Sequence, residues 1–348
     1  MGISVAVATH NRAGELRLTL SSLAGMTAGD QDYEILVIDN GSSDQTSEVV
    51  HEFLPRFRGR LRYVFENRLG LSHARNRAIT EARHDIIGFL DDDVDVEPHW
   101  VERISEAFES GDYAAVGGRA FLAYPVPRPA WLDEVGECLL TKVDLGAVRR
   151  LAQPDELYGL NLCIRREWFD RVGSFRTDLG RIGECLLSSE EEELLNRIVA
   201  AGGQLLYEPG AVVAHRVPAN RLRRRWFLSR IYWGKRGHAR MVPESQISGY
   251  QCLRSTWHVG LASWQLTRAA LRHGPASQYA FQQSRLLAGR VGFWLGLTGR
   301  LWSVFRHGTG RAPGHETSHL QEHVSLSSAP ALPPRPDQHV APSVPARG

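Results

Sequence analysis

Residues 84–100 read HDIIGFLDDDVDVEPHW, and this stretch decides the fold. The apolar run at 86–90 predicts a buried strand, and Asp91, Asp92 and Asp93 follow directly at its end. Adjacent carboxylates repel one another and gain little from packing, so the triplet indicates either a solvated loop or a bound cation. The surrounding sequence has to distinguish between these two interpretations.

Strand-like runs alternate with helical spacing throughout the first part of the chain. Strands are predicted at 3–9 (ISVAVAT), 33–39 (YEILVID), 61–66 (LRYVFE) and 85–91 (DIIGFLD). This alternation predicts an α/β fold in which a mostly parallel sheet carries helices on both faces. Ligands of such sheets bind at the carboxyl ends of the strands, where Asp39 and the aspartate triplet both fall.

The later segments continue the pattern and then lose it. A strand is predicted at 114–121, a helix at 190–201, and two further strands at 204–209 and 211–216. The proline-broken segment 123–134 predicts a loop across the open face of the site. Residues from 311 onward lack apolar periodicity and contain APALPPRP, so a disordered tail is expected at 311–348.

Composition limits the class of protein. With 348 residues, 43% of them hydrophobic, the chain can bury a large core, either as one domain with appendages or as two domains. The four cysteines show no CxxC spacing, which argues against a zinc site and against a disulfide scaffold. The first residues lead into a strand without a signal-peptide pattern, so a cytoplasmic location is expected.

Charge is distributed unevenly along the chain, although the net value is only +2. The segment 209–315 contains 17 Lys and Arg but a single acid, Glu244, and the rest of the chain is acidic. A basic, tryptophan-rich segment attracts nucleic acid, anionic lipid or diphosphates. Composition alone does not choose among these partners.

Six motifs occur in a fixed order along the chain. They are THNR after the first strand, DNGSSD after the second, NRLGLSHARN before the fourth, the aspartate triplet, EEEELLNR at a helix start, and EPGAVVAH. In this order they resemble family 2 glycosyltransferases, inverting enzymes with the GT-A fold, over about residues 3–240. The resemblance implies a Rossmann-like mixed sheet with helices on both faces, and transfer of a sugar from a nucleotide-sugar, with UDP expected as the nucleotide.

The resemblance also implies roles for individual residues of the donor half. The nucleotide-sugar would contact residues at the ends of the first strands and on the following helix; these are Thr9, Asn11, Arg12, Asp39, Asn40, Arg75, Asp91 and Asp92. A divalent ion, Mn²⁺ or Mg²⁺, would be held by Asp91 and Asp93, with His215 completing the ligand shell. Asn11 and Asp44 also fit a purely structural role as helix caps.

Inverting transfer requires a carboxylate that deprotonates the acceptor hydroxyl. The resemblance places this base at the start of the EEEELLNR helix, at Glu191 or Glu190, and the sequence leaves the choice between them open. Four glutamates also favour a helix N-terminus through its dipole, without any catalytic role. On the acceptor side, the resemblance implies that Asn161 faces the sugar, and Trp131 is a candidate for stacking on a sugar ring.

These interpretations divide the chain into three parts. The catalytic domain at 1–216 has a nucleotide-sugar half at 1–119 and an acceptor half at 120–216. A basic helical extension follows at 217–310, and the tail comes last. Arginines interrupt the apolar segment 286–306 too often for a spanning helix, so an in-plane helix docking on the inner membrane face is the hypothesis. Ordinary packing against the catalytic domain is the alternative. The resemblance also implies a saccharide or lipid-linked acceptor and a role in polysaccharide or glycoconjugate biosynthesis.

Two other functions compete with this one. A nucleotidyltransferase shares the alternating sheet and acidic metal ligands, but THNRAGEL lacks the expected glycine-rich loop with a lysine. A nucleic-acid-binding protein would use the basic segment, yet no recognisable binding module is present, so no nucleic acid is expected as a partner.

Overall fold

The computed structural model describes residues 2–183 and 185–307. The tail predicted at 311–348 lies outside the described residues. The strands are β1 Gly2–Thr9, β2 Asp32–Asp39, β3 Leu61–Phe65, β4 Ile86–Asp91, β5 Val94–Val96, β6 Ala115–Ala123, β7 Arg150–Leu151, β8 Asn161–Arg165 and β9 Leu205–Arg216. The helices are α1 Ala13–Leu23, α2 Thr46–Phe53, α3 Leu71–Glu81, α4 Trp100–Glu109, α5 Glu134–Leu139, α6 Arg166–Val172, α7 Glu190–Ala200, α8 Arg224–Met241, α9 Gly249–His273 and α10 Gln278–His307.

All strands belong to one mixed sheet with the order β3-β2-β1-β4-β8-β6-β9-β5, and β7 pairs with β9. The first four strands in this order are parallel, as the βα alternation predicts. β8 then runs antiparallel to both β4 and β6, while β6 and β9 are parallel. The α/β fold class and the mixed sheet are therefore confirmed, and the antiparallel β8 is the strand that interrupts the parallel order.

Burial follows the sequence pattern closely. β1 and β2 are almost continuously buried, as expected for strands covered by helices on both faces. The helix predicted at 190–201 is present as α7, with Leu194, Leu195 and Ile198 facing the core. β8 is a strand that the sequence analysis did not identify, and it fills the position between β4 and β6.

The basic segment folds into helices α8 to α10. α10 carries the apolar run for which the sequence suggested an in-plane helix, but much of it packs on α8. A Cβ atom at Gly292 would lie 2.1 Å from the backbone oxygen of Tyr232, so the two helices approach as closely as only glycine allows. Within the described ranges, no helix is apolar over a stretch long enough to traverse a bilayer.

Candidate active site

The carboxyl ends of the central strands open into a cavity of about 320 Å³. The sheet register brings the ends of β1, β2 and β4 level, because Thr9 lies opposite Asp39 and Ala8 lies opposite Asp91. Charged side chains dominate the polar part of the wall. They form an aspartate cluster after β4, a glutamate pair at the start of α7, and a set of arginines contributed by distant segments.

The aspartate cluster is buried and held by hydrogen bonds. Asp92 accepts a hydrogen bond from the Thr9 hydroxyl at 2.7 Å and a second from Arg12. Asp93 accepts from Arg12 Nη2 at 2.9 Å, and its Oδ2 lies 3.4 Å from His215 Nε2. His215 reaches this position because β9 pairs with β5, which places it directly opposite Val94.

Burial affects these two carboxyl groups in opposite ways. Burial raises the pKa of Asp92, and the neighbouring charge of Asp93 adds to the rise, while Arg12 opposes it. Burial also disfavours the charged form of Asp93, but His215 and Arg12 together hold the pKa of Asp93 well below its usual range. Asp93 is therefore the carboxylate that stays ionised, which is the form a cation requires.

The donor atoms near Asp93 fit a hard divalent ion in chemical type. Asp93 Oδ1 is buried without a hydrogen-bond partner among the described residues, and Asp91 is half-buried on the cavity wall. Carboxylate oxygens with one imidazole suit Mn²⁺ or Mg²⁺. Within residues 2–183 and 185–307, however, no group of three or more His, Cys, Asp or Glu is preassembled for a metal. Arg12 pairs with the same carboxylates and would have to yield to the ion.

The glutamate pair lines the same cavity and is held by one buried arginine. Arg75 Nη1 is 3.0 Å from Glu190 Oε1 and 3.8 Å from Glu191 Oε2, while Arg75 Nη2 is 3.7 Å from Asp91 Oδ1. Gly159 makes room for this guanidinium, because a Cβ atom there would lie 2.2 Å from Arg75 Nη2. A single side chain thus links the glutamates of α7 to the aspartates after β4.

The two glutamates have different proton affinities. Burial, with the adjacent charge of Glu191, raises the pKa of Glu190 to about 8. Burial also disfavours ionisation of Glu191, but the charge of Arg75 overcomes it and lowers the pKa of Glu191. Glu191 Oε2 has no hydrogen-bond partner among the described residues. Near neutral pH the arrangement holds a proton on Glu190 and leaves Glu191 as a carboxylate on the cavity wall.

The structure separates the donor-side residues into wall residues and supporting residues. Thr9 and Asn40 line the cavity. Asp39 does not; its carboxylate accepts from the Tyr63 hydroxyl at 2.7 Å and from Ser42 N at 2.9 Å. Asn11 is exposed beside the cavity and its Oδ1 accepts from the backbone N–H of Ser43, which fixes the loop after β2.

The two residues assigned to the acceptor side are not brought into the cavity. Asn161 is buried in the sheet, where its Oδ1 accepts from Trp100 Nε1 at 2.8 Å and its Nδ2 donates to the carbonyls of Arg119 and Ala211. Trp131 packs edge-on against Phe227 and Phe281, away from the wall. The Asn161 amide is therefore hydrogen-bonded within the sheet, and the Trp131 ring is packed among other aromatic rings. Tyr158, three residues before Asn161, lines the cavity instead.

Two arginines of the wall were not identified in the sequence. Arg181 precedes α7, and Arg230 extends from α8. Arg221, which belongs to the basic segment 209–315, also lines the wall, with Nη2 3.6 Å from Asp93 Oδ2. No local motif distinguishes Arg181 or Arg230 from surface arginines. Arg181 reaches the cavity on the loop before α7, which is bonded to Leu71, and Arg230 reaches it from α8, which is bonded to the same loop.

Comparison with known proteins finds a match to one family over about half of the chain. Residues 4–173 match the model described as glycosyl transferase family 2. The chain is 26% identical over 246 residues to a glucosyl-dolichyl phosphate glucuronosyltransferase of Haloferax volcanii, covering 70% of this chain and 77% of that protein. It is 28% identical over 263 residues to the succinoglycan biosynthesis protein ExoM of Rhizobium meliloti, covering 75% and 80%.

Solved structures show the same fold. A mannosyltransferase from Pyrobaculum calidifontis, determined with GDP-Man and Mn²⁺, superposes with a TM-score of 0.58 at 18% identity, covering 86% of this chain and 87% of that one. GalNAc-T7, determined with UDP, GalNAc and Mn²⁺, gives a TM-score of 0.52 at 18% identity, covering 88% of this chain and 58% of that one.

Proposed function

Because this chain is a family 2 glycosyltransferase with the GT-A fold, we propose that it catalyses inverting transfer of a sugar from a nucleotide-sugar to an acceptor hydroxyl. One observation carries the proposal. Asp93 and Glu191, the two carboxyl groups held in the ionised form, line one cavity, and Arg75 contacts both Asp91 and Glu191. A single displacement needs these two functions on opposite faces of the sugar.

We assign the leaving-group side to the aspartates after β4. Asp91, Asp93 and His215 would hold Mn²⁺ or Mg²⁺, and when bound the ion would neutralise the charge that develops on the departing nucleoside diphosphate. Arg221 lies beside the same carboxylate and supplies a further positive charge on this side. Two structures of similar fold were determined with Mn²⁺, which supports the choice of ion.

We assign the base to Glu191 and a positioning role to Glu190. Each glutamate has one oxygen without a hydrogen-bond partner among the described residues, but only Glu191 has a lowered pKa, so Glu191 is the group that can accept the acceptor proton. Glu190 keeps its proton, pairs with Arg75 and avoids placing a second negative charge beside the first. The choice that the sequence left open between these two residues thus falls on Glu191.

The substrates follow from the cavity and from the relatives. A UDP-sugar is the proposed donor, bound along Thr9, Arg12, Asn40 and Arg75, with Asp39 and Asn11 shaping the loop behind it. A saccharide or lipid-linked acceptor, within polysaccharide or glycoconjugate biosynthesis, fits the names of the two relatives that cover most of this chain. We retain residues 1–216 as the catalytic domain and 217–310 as the helical extension.

The test is a panel of nucleotide-sugars incubated with the full chain and Mn²⁺, scored by release of free nucleoside diphosphate. Asp93→Ala and Glu191→Gln are expected to lower turnover by roughly 10²–10⁴-fold, because each removes one half of the displacement chemistry. Asp95→Ala and Glu192→Gln are matched controls, since both carboxylates lie nearby but outside the cavity wall. Wild-type rates in Asp93→Ala and Glu191→Gln would refute the assignment.

We further propose that the helical extension docks on an anionic membrane surface through α9. Six large apolar side chains recur at helical spacing along this 25-residue helix and are exposed, from 37% for Leu261 to 83% for Leu271. The other four are Tyr250, Leu253, Trp257 and Trp264. The opposite face of α9 is buried at Cys252, Ala262 and Ala269.

The chemistry of α9 matches a lipid interface. Trp and Tyr favour the headgroup region, and an amphipathic helix with basic flanks lies in the plane of the membrane. Arg254, Arg268 and Arg272 lie on the same helix, and no acidic residue occurs at 245–307. The exposed stripe therefore belongs to α9, while α10, suggested by the sequence, is largely used in packing against α8.

The full chain is expected to sediment with vesicles that contain phosphatidylglycerol and not with pure phosphatidylcholine vesicles. Trp257→Gln/Trp264→Gln should lose this binding by ten-fold or more, whereas Leu18→Gln/Phe65→Gln, which removes two apolar side chains of similar exposure elsewhere, should not. Equal binding by the two double variants would contradict the proposal. A dimer that the α9 variant dissociates, without vesicle binding, would assign the stripe to a second copy instead.

A further inference from the structure

The arginines that line the cavity are not all neutralised by its carboxylates. Arg12 is paired with Asp92 and Asp93, and Arg75 is paired with the glutamates of α7. Arg181 and Arg230 form no ion pair with any carboxylate of the described residues, although both line the same cavity. The wall near Glu191 therefore carries two arginines that are not ion-paired within residues 2–183 and 185–307.

Arg230 is fixed in position by neutral groups. Its Nη1 donates to the Ser188 hydroxyl at 2.8 Å and to the Leu186 carbonyl at 3.2 Å, and its Nε is buried without a hydrogen-bond partner among the described residues. These contacts orient the guanidinium without an ion pair to any carboxylate of the described residues. A buried donor without a partner is costly, so such a group indicates a ligand more strongly than an exposed arginine does.

Arg181 adds a second cation to the same part of the wall. Its segment is anchored by the hydrogen bond from Leu71 N to the Arg181 carbonyl at 2.9 Å. Burial, together with repulsion from Arg181, lowers the pKa of Arg230 and lowers the pKa of Arg221 to about 10. The cations oppose one another in the absence of an anion between them, and an anion would remove this repulsion.

Arg230 differs in its neighbours from Arg221, the cation expected on the leaving-group side, while Arg181 acts electrostatically on both. Arg221 lies against Asp93, whereas Arg230 interacts electrostatically with Glu191 and Glu190. An anion on Arg230 would thus lie on the side of the base, where the acceptor enters. This inference rests on the proposed function, because it takes Glu191 as the base.

We propose that Arg181 and Arg230 bind a phosphate group of the acceptor, which positions the acceptor hydroxyl against Glu191. Guanidinium groups recognise phosphate through paired, charge-assisted hydrogen bonds, and two of them suit a phosphomonoester or phosphodiester. The phosphate can belong to a free glycosyl phosphate or to a lipid-linked glycosyl phosphate. Neither source changes the site, since the recognised group is the same.

The test measures binding to the full chain saturated with UDP and Mn²⁺, so that the donor side is filled. The probes are glucose 1-phosphate against glucose, and citronellyl phosphate against citronellol. Each phosphate is expected to bind at least ten-fold more tightly than its neutral counterpart, because hydrogen bonds to charged groups contribute more than neutral ones. Binding of the sugar phosphate alone points to a free acceptor, and binding of the prenyl phosphate alone to a lipid-linked one; either supports the proposal.

Arg181→Gln and Arg230→Gln should each weaken phosphate binding ten-fold or more while UDP affinity stays within about two-fold. Arg230→Lys should retain part of the phosphate binding, which separates lost charge from lost folding, and thermal unfolding of each variant checks the fold. Arg236→Gln is the matched control on α8, since Arg236 contacts Tyr232 and Trp233 outside the cavity.

Three results would overturn the proposal: equal affinity for phosphate and neutral probes, unchanged phosphate binding in Arg181→Gln/Arg230→Gln, or an equal loss of UDP and phosphate binding. The last would assign these arginines to the donor diphosphate. Failure of UDP to bind the wild-type chain is a separate result, and it would refute the proposed function itself.

Discussion

Replacing Arg75 by Met tests how the cavity holds two adjacent carboxyl groups. Arg75 is 4% exposed and approaches Glu190, Glu191 and Asp91 within 3.0–3.8 Å. Met retains the aliphatic packing and removes the charge. Removing one partner of a buried ion pair costs about 3–5 kcal/mol, which is a large share of the roughly 5–15 kcal/mol by which a typical domain is stable.

The loss should depend on pH. Without the cation, the folded-state pKa of both glutamates rises above the value in the unfolded chain. The folded protein then binds more protons than the unfolded protein, so its stability falls as pH rises. Urea unfolding at pH 5.5 and at pH 8.5 should therefore show a larger destabilisation of Arg75→Met at the higher pH. Nucleotide-sugar turnover should fall as well, because Glu191 loses its ionised state.

Two further variants make this reasoning refutable. Arg77→Met removes an arginine of the same helix whose ion pair with Glu81 is 2.8 Å long but partly exposed, so it should cost less than about 1 kcal/mol. Glu190→Gln in the Arg75→Met background should recover part of the lost stability at pH 8.5, since it removes one uncompensated charge. If Arg75→Met costs no more than Arg77→Met, or costs the same at both pH values, the buried-charge account is wrong.

Three other outcomes are expected. Gly159→Ala should lower turnover at least ten-fold with native circular dichroism, because the new Cβ would lie 2.2 Å from Arg75 Nη2 and displace it. Asn161→Ala should lower the free energy of unfolding, measured in urea, by about 2–4 kcal/mol, because the Trp100 indole N–H loses its hydrogen-bond partner. The KM for the acceptor substrate should stay unchanged in the folded fraction. A raised KM for that substrate without destabilisation would return Asn161 to the site. Glu190→Gln alone should become more stable relative to wild type as pH rises from 6 to 9. Burial raises the pKa of Glu190 to about 8, so the wild-type protein loses stability as pH rises through that value and the variant does not. A difference in unfolding free energy between the two proteins that does not change with pH would contradict this prediction.

The sequence predicted the elements of the fold well where the signal is local. The strands at 3–9, 33–39, 61–66 and 85–91 are observed, as is the helix at 190–201. Each is encoded by a run of side chains whose period or length alone identifies it. The short β8 was missed because Asn161 was assigned to the acceptor side by resemblance, and the apolar run that follows it was not interpreted as a strand.

The candidate site shows the same division. Asp91 and Asp93 reach the cavity because residues after a strand of an α/β sheet lie at its carboxyl edge, and Glu190 and Glu191 begin a helix of the same cavity. Asn161 was placed by likeness, and its strand instead turns the amide into the sheet, toward Trp100. Sequence position identified the loop or strand, but not the direction of the side chain.

The sequence by itself determined the element order, the acidic strand end and the family, because these depend on neighbouring residues and on motifs in series. Only the tertiary structure decided which charges meet: Arg75 with Glu190 across 115 residues, Arg12 with Asp93 across 81, and Arg230 with the loop before α7. It also decided that α9 presents a stripe of apolar side chains to solvent. The physical reason is that burial and Coulomb energy depend on distance in space, which chain connectivity constrains only over a few residues.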